Sequence, residues 1–168
     1  MFMQFSTVKK ESVCDTSEAG CCTPQPKGKL ECPQCLQKAK GVLSKTLKSL
    51  LKEKTLNSLE CLDGFYYCKT ASCSTIYFRE QSVLTQDDLK VIVGLKDGAT
   101  PATLCYCFDW TKEKIEAELK ASGKTFALDD IKAKMENPGC LCESMNPSGG
   151  CCLADVGKAI KEIQSELK

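Results

Sequence analysis

Apolar and polar positions follow two different rhythms along this chain. Leu43, Leu47, Leu50 and Leu51 fall at i, i+4, i+7 and i+8, one face of a short amphipathic helix, with Ser44 or Thr46 available as caps. Phe65-Tyr66-Tyr67 and the alternating Ser74-Thr75-Ile76-Tyr77-Phe78 read as strands, being rich in aromatic and β-branched side chains. Val83-Leu84 and Val91-Ile92-Val93 read as further strand-like pieces around Gln86-Asp87-Asp88. Past the turn-rich Lys96-Asp97-Gly98-Ala99-Thr100-Pro101 the rhythm becomes helical. Ile115 and Leu119 mark one face of a helix over Lys112 to Ser122, with Thr111 to cap its start and Gly123 its end. A second helix follows Ala127, with Asp129 or Asp130 near its start and Ile131 and Met135 on one face, and stops at Asn137-Pro138-Gly139. A third begins at a double cysteine: Leu153, Val156 and Ile160 lie at +1, +4 and +8 from Cys152, and the pattern runs on through Ile163 and Leu167.

These rhythms divide the chain into three parts. Residues 1–30, polar and closed by Pro24 and Pro26, are expected to be a flexible tail. Residues 31–100 are expected to form a small mixed β module, and residues 101–168 an all-helical one, giving an α+β fold.

Charge narrows the function classes. Lys and Arg total 23 against 22 Asp and Glu, with no polybasic block, so the footprint of a nucleic-acid binder is absent. No apolar run approaches the ~18 residues that cross a bilayer, so no membrane partner is expected. The N-terminus lacks the apolar core of a secretory signal, which points to a reducing cytoplasmic setting. There is no histidine, no phosphate-binding loop and no paired-carboxylate motif. The chain therefore reads as an electron carrier or metal-binding protein rather than an enzyme.

Fourteen cysteines in 168 residues supply the chemistry. In a reducing compartment clustered thiols are more often metal ligands than disulfides. Cys32-Pro33-Gln34-Cys35 and the Cys68, Cys73 pair sit on turns beside strands, in the manner of a zinc ribbon with a helix inserted between its knuckles. Four thiolates in a tetrahedron suit zinc, which tolerates an all-sulfur shell. Cys105 and Cys107 form a C-x-C, and a second pair recurs at Cys142 and Cys152 after 34 residues containing two helices. A two-iron, two-sulfur cluster takes two thiolates on each iron, and the helices can return the chain so that both loops meet. Helical phase favours Cys152 over Cys151, and Gly149-Gly150 permits close backbone approach with amide donors to sulfur. Spacing alone leaves Cys140 and Cys142 open. Cys14, Cys21 and Cys22 in the tail, with Cys61, Cys140 and Cys151, remain as spare thiols able to hold a soft ion such as Cu(I).

C-x-C followed by a distant pair before an apolar helix resembles the bacterioferritin-associated ferredoxin (BFD-like) domain, whose last pair is normally C-x2-C; here nine residues separate Cys142 from Cys152. The series Cys-Pro-x-Cys, Tyr-Tyr-Cys-x4-Cys with Ile-Tyr-Phe, Cys-Tyr-Cys and Cys-x3-Asn-Pro-Ser-Gly-x-Cys-Cys resembles the N-terminal domain of CopZ-type copper chaperones over residues 32 to about 160. That resemblance implies zinc at Cys32, Cys35, Cys68 and Cys73. It implies a 2Fe-2S cluster at Cys105, Cys107, Cys142 and one of Cys151 or Cys152, with Asn146-Pro147-Ser148-Gly149 selecting Cys142. With such a cluster the chain is expected to be a one-electron carrier linked to copper handling, reducing Cu(II) to Cu(I) for a metallochaperone or other redox partner protein. The alternative is a soft-metal (copper or mercury) binding or redox-sensing module built on the tail and spare cysteines. The Met-x-Cys-x-x-Cys of the family's separate heavy-metal-associated domain does not occur in these residues.

Overall fold

The computed structural model describes residues 29–167. The tail cysteines Cys14, Cys21 and Cys22 lie outside them. Five short strands, β1 (Lys29–Glu31), β2 (Lys38–Gly41), β3 (Tyr66–Tyr67), β4 (Tyr77–Arg79) and β5 (Ser82–Leu84), form one antiparallel sheet in chain order. Its centre is set by the register Lys40↔Tyr67, Tyr67↔Tyr77 and Tyr77↔Leu84. Successive side chains of a strand face opposite ways, so Tyr67 and Tyr77 enter one core with Leu84, whereas Tyr66 and Phe78 turn to the cysteine side and stack with ring centroids 5.8 Å apart.

Between β2 and β3 the leucine pattern folds as two short helices, α1 (Ser44–Leu50) and α2 (Glu53–Ser58). Neither Ser44 nor Thr46 caps α1: Leu43 occupies the N-cap, and the Thr46 hydroxyl instead donates to the carbonyl of Glu143 at 2.5 Å. Leu47 and Leu51 are completely buried and join Val42, Phe65, Ile76 and Tyr77 in the sheet's core. Each contributes about 1.5–3 kcal/mol through burial.

Val91-Ile92-Val93 is not a strand. Val93 is buried, but its N–H donates to the Gln86 side chain and Ile92 is 41% exposed, so packing of one residue in an irregular segment produced the β-branched signal. The segment is held by Tyr106, whose hydroxyl donates to Ile92 O and accepts from Gly94 N, each at 2.9 Å. Gly94 is obligatory, because a Cβ there would lie 2.1 Å from the carbonyl oxygen of Thr103.

The second half is not wholly helical. Thr103–Cys105 (β6) and Trp110–Thr111 (β7) pair as a hairpin carrying the C-x-C at its turn. Its helices then follow the apolar phase: α3 (Lys112–Ser122), α4 (Ala127–Glu136), the short α5 (Cys142–Met145) and α6 (Leu153–Glu166). Thr111 Oγ1 accepts from Lys114 N, and Gly123 at φ +71° ends α3 in the left-handed conformation. Ile115, Leu119, Ala127, Ile131, Val156, Ala159 and Ile163 make a second core, and Trp110 Nε1 ties the hairpin to α4 by donating to Asp130 at 2.8 Å. No described helix is long and apolar enough to cross a membrane.

The two halves are stitched together by α5, which packs on α1. Lys45 pairs with Glu143, Lys69 with Asp155 at 2.5 Å, and the Tyr77 hydroxyl donates to Pro147 O at 2.6 Å.

Candidate metal centres

The first centre is built by two turns that meet at the sheet's end. Cys32 opens a tight turn in which its N–H donates to Gln37 O and its carbonyl accepts from Leu36 N, with Leu36 at φ +58°. Cys68 leaves β3 and Cys73 follows a turn in which its N–H donates to Thr70 O. The sulfurs of Cys32, Cys35, Cys68 and Cys73 all lie within 4.8 Å of one another, the only such group of three or more among the described residues.

Cys32 Sγ is 3.9 Å from Cys73 Sγ, and Cys35 Sγ is 3.6 Å from Cys68 Sγ. A disulfide would need about 2 Å, whereas a tetrahedral ion with metal–sulfur bonds of about 2.3 Å sets sulfurs roughly 3.8 Å apart. The donor set therefore fits zinc. Cys32, Cys68 and Cys73 are buried and Cys35 half-buried.

Cys35 and Cys68 differ in how readily they ionise. Burial opposes ionisation of Cys35, but hydrogen bonds with Thr70, the Gln37 backbone and the neighbouring thiols outweigh it and bring the thiol down to about 6. Burial pushes Cys68, its 3.6 Å neighbour, up to about 12. One thiolate excludes a second beside it unless a cation lies between them. Around the sulfurs, Gln34 Oε1 accepts from Ser74 and Thr75 and contacts the Cys73 thiol. Lys96 Nζ donates to the carbonyls of Cys68, Thr70 and Thr75 at 2.8–2.9 Å, clamping the second turn. Sequence reading missed this lysine, placed in a turn-rich break, because its three partners lie 21 to 28 residues upstream.

The second group of cysteines lies where the β6–β7 turn faces the segment between α5 and α6. Cys105 and Cys152 are 0% and 1% exposed and sit in the second core; Cys142, the first residue of α5, is 7% exposed, and Cys107 is half-buried. The thiols pair across the two loops, Cys107 Sγ with Cys142 Sγ at 3.8 Å, and Cys105 with Cys152 by a hydrogen bond. That bond with Cys152 is the main cause holding the Cys105 thiol down to about 7, against the opposing effect of burial. The same bond, and then burial, push Cys152 far up. Cys142 is pushed up to about 12 by burial and by its neighbours Cys140 and Cys107.

The second set is thus arranged as two thiol pairs, in contrast to the single group of four of the first centre. Helical phase puts Cys152 at the N-cap of α6 on the face of Val156, Ala159 and Ile163, and leaves Cys151 exposed. Cys140 is exposed as well. The Gly149 and Gly150 amides are not aimed at sulfur: they donate to Asn146 O and to Ser148 Oγ, because Asn146 organises the loop by accepting from Ser148 and donating to Gly150 O. Cys61 is half-buried beside Asp63, away from both groups.

A CopZ-type zinc binding domain family model matches residues 29–90, which contain the first centre entire. The copper chaperone CopZ of Archaeoglobus fulgidus is 32% identical over 123 residues, covering 73% of this chain and 58% of the chaperone. This chain thus spans little more than half the length of that relative. The X-ray structure of the A. fulgidus CopZ N-terminal domain is similar over 77% of this chain and 96% of that domain, with 32% identity and a TM-score of 0.66.

Proposed function

The chain belongs to the family of CopZ N-terminal zinc-binding domains, and from that premise we propose that it is a one-electron carrier for copper handling. In this reading zinc at Cys32, Cys35, Cys68 and Cys73 is structural, and a 2Fe-2S cluster at Cys105, Cys107, Cys142 and Cys152 is the redox group. The observation that carries it is the cross-loop pairing of the second thiol set, Cys107 with Cys142 and Cys105 with Cys152.

When bound, such a cluster supplies reversible one-electron chemistry. The chain's own residues set its surroundings. Leu104, Ile115, Leu119 and Val156 exclude water from the Cys105 and Cys152 side. Half-buried Cys107 leaves its side of the site near solvent, where a bound, reduced cluster would be open to Cu(II) and would leave Cu(I) for a chaperone partner. Tyr106, fixed by Ile92 and Gly94, holds the C-x-C turn rigid between its two cysteines.

Elemental analysis and absorption spectroscopy of anaerobically purified protein test the proposal. One zinc and two irons per chain, with a spectrum bleached by dithionite and restored by oxidation, is the expected result. Colourless, iron-free protein, or a bound cluster that dithionite cannot reduce, overturns it.

A further inference from the structure

The turn that carries Cys105 and Cys107 is clipped to α4 by one ion pair. Asp130 Oδ2 accepts from Lys134 Nζ and from the Trp110 indole N–H, each at 2.8 Å. Trp110 lies opposite Cys105 in the β6–β7 register. The hydrogen bond with Cys152 dominates the Cys105 thiol, and the Asp130 charge acts on the same thiol and opposes its ionisation. The Lys134 ammonium, one helical turn further on, is 5.8 Å from the centroid of the Phe108 ring, and Phe108 directly follows Cys107. The Cys107 and Phe108 amides in turn donate to the Cys105 sulfur. The hydrogen bonds from Lys134 and then Trp110 hold the Asp130 carboxyl below its ordinary 3.8, so it is a carboxylate at neutral pH. One anion thus faces the Cys105 end of the turn and one cation the Cys107 end.

We propose that Asp130 and Lys134 are positioning residues of opposite sign for the second centre: the carboxylate lowers its reduction potential from the Cys105 side, and the ammonium raises it from the Cys107 side. The inference rests on the cluster reading above. Reduction by one electron adds a negative charge among the four thiolates, which a nearby anion opposes and a nearby cation favours. Neither side chain donates to the metal group, so each acts through the turn and its thiols. The Lys134 and Asp130 side chains are 46% and 32% exposed, so solvent and salt screen both charges and each effect is modest.

Full-length protein, loaded anaerobically with iron and sulfide, is titrated by redox potentiometry followed by absorption. Asp130→Asn keeps a side-chain oxygen for the Trp110 N–H, and Lys134→Met keeps an apolar stem over Phe108. The potential is expected to rise in Asp130→Asn and fall in Lys134→Met, each by less than the about 59 mV that a tenfold change in the oxidised-to-reduced ratio represents for one electron. Both shifts should shrink in 1 M salt, and the double variant should return close to wild type. Because both variants break the same ion pair, a merely structural role would move the two potentials the same way, as it would the two unfolding temperatures. Shifts of one sign, or two unchanged potentials, in iron-loaded and reducible protein overturn this inference and leave the cluster reading standing. Protein that loads no iron overturns the cluster reading and this inference with it.

Discussion

The Tyr77 hydroxyl, at the centre of the sheet, donates a buried 2.6 Å hydrogen bond to the carbonyl of Pro147, seventy residues later in the loop between Cys142 and Cys152. The same β4 strand carries Phe78 into the zinc-side cluster. Sheet and second thiol group are thereby coupled through one polar contact and the α1–α5 packing beside it.

Tyr77→Phe leaves the Pro147 carbonyl unpaired in a buried setting, which costs about 1–3 kcal/mol. Thermal unfolding is expected to fall by about 2–4 °C for each kcal/mol lost. In protein carrying the proposed cluster, iron transfer to a chelator should accelerate while zinc release stays as it was. Equal acceleration of both metals would show that the bond supports the whole fold rather than the loop.

Cys32→Ser removes a fully buried donor of the first centre. Zinc content should drop to near zero, and unfolding should shift by several kcal/mol, part of the ~10–16 kcal/mol that structural zinc contributes in small domains. Cys61→Ser, at a half-buried thiol outside the group, is the control and should keep its zinc. Metal analysis after gel filtration reads both.

Two glycines should respond in opposite directions to alanine. Gly157, inside α6 with open space where a Cβ would stand, gains about 0.5–1 kcal/mol from the better helix former. Gly94→Ala forces a methyl against the Thr103 backbone and should cost more than about 3 kcal/mol, since backbone must move. Urea midpoints at neutral pH distinguish them.

Glu113 accepts from Ala102 N at 3.0 Å, and that bond is the leading cause that depresses its carboxyl below the ordinary 4.5. A carboxylate with a lowered folded pKa stabilises above its unfolded value and loses that contribution as pH falls through the folded one. Wild type should therefore lose stability more steeply below pH 4.5 than Glu113→Gln, with the two running parallel above it. The side chain is exposed, so the difference should be small. Parallel curves throughout would remove the contribution.

The sequence by itself determined what nearest neighbours determine. Strand alternation puts Tyr77 and Phe78 on opposite faces of the sheet, the Thr111 and Gly123 caps bound α3, and helical phase turns Cys152 inward and Cys151 out. Each depends on residues within about two turns, where periodicity and capping act. Paired cysteine spacing likewise pointed to Cys32, Cys35, Cys68 and Cys73 as one group, because turns of that length put two thiols on one side. Tertiary structure decided the rest. It made Val91–Val93 an irregular segment held by Tyr106, turned the C-x-C into a hairpin, sent Thr46 from capping α1 to binding Glu143, and set Lys96 over the second zinc-site turn. These outcomes rest on contacts that are mostly far apart along the chain. Such contacts leave no period in the sequence, because the free energy of burying Tyr77 against Pro147 exists only once both ends of the chain have met.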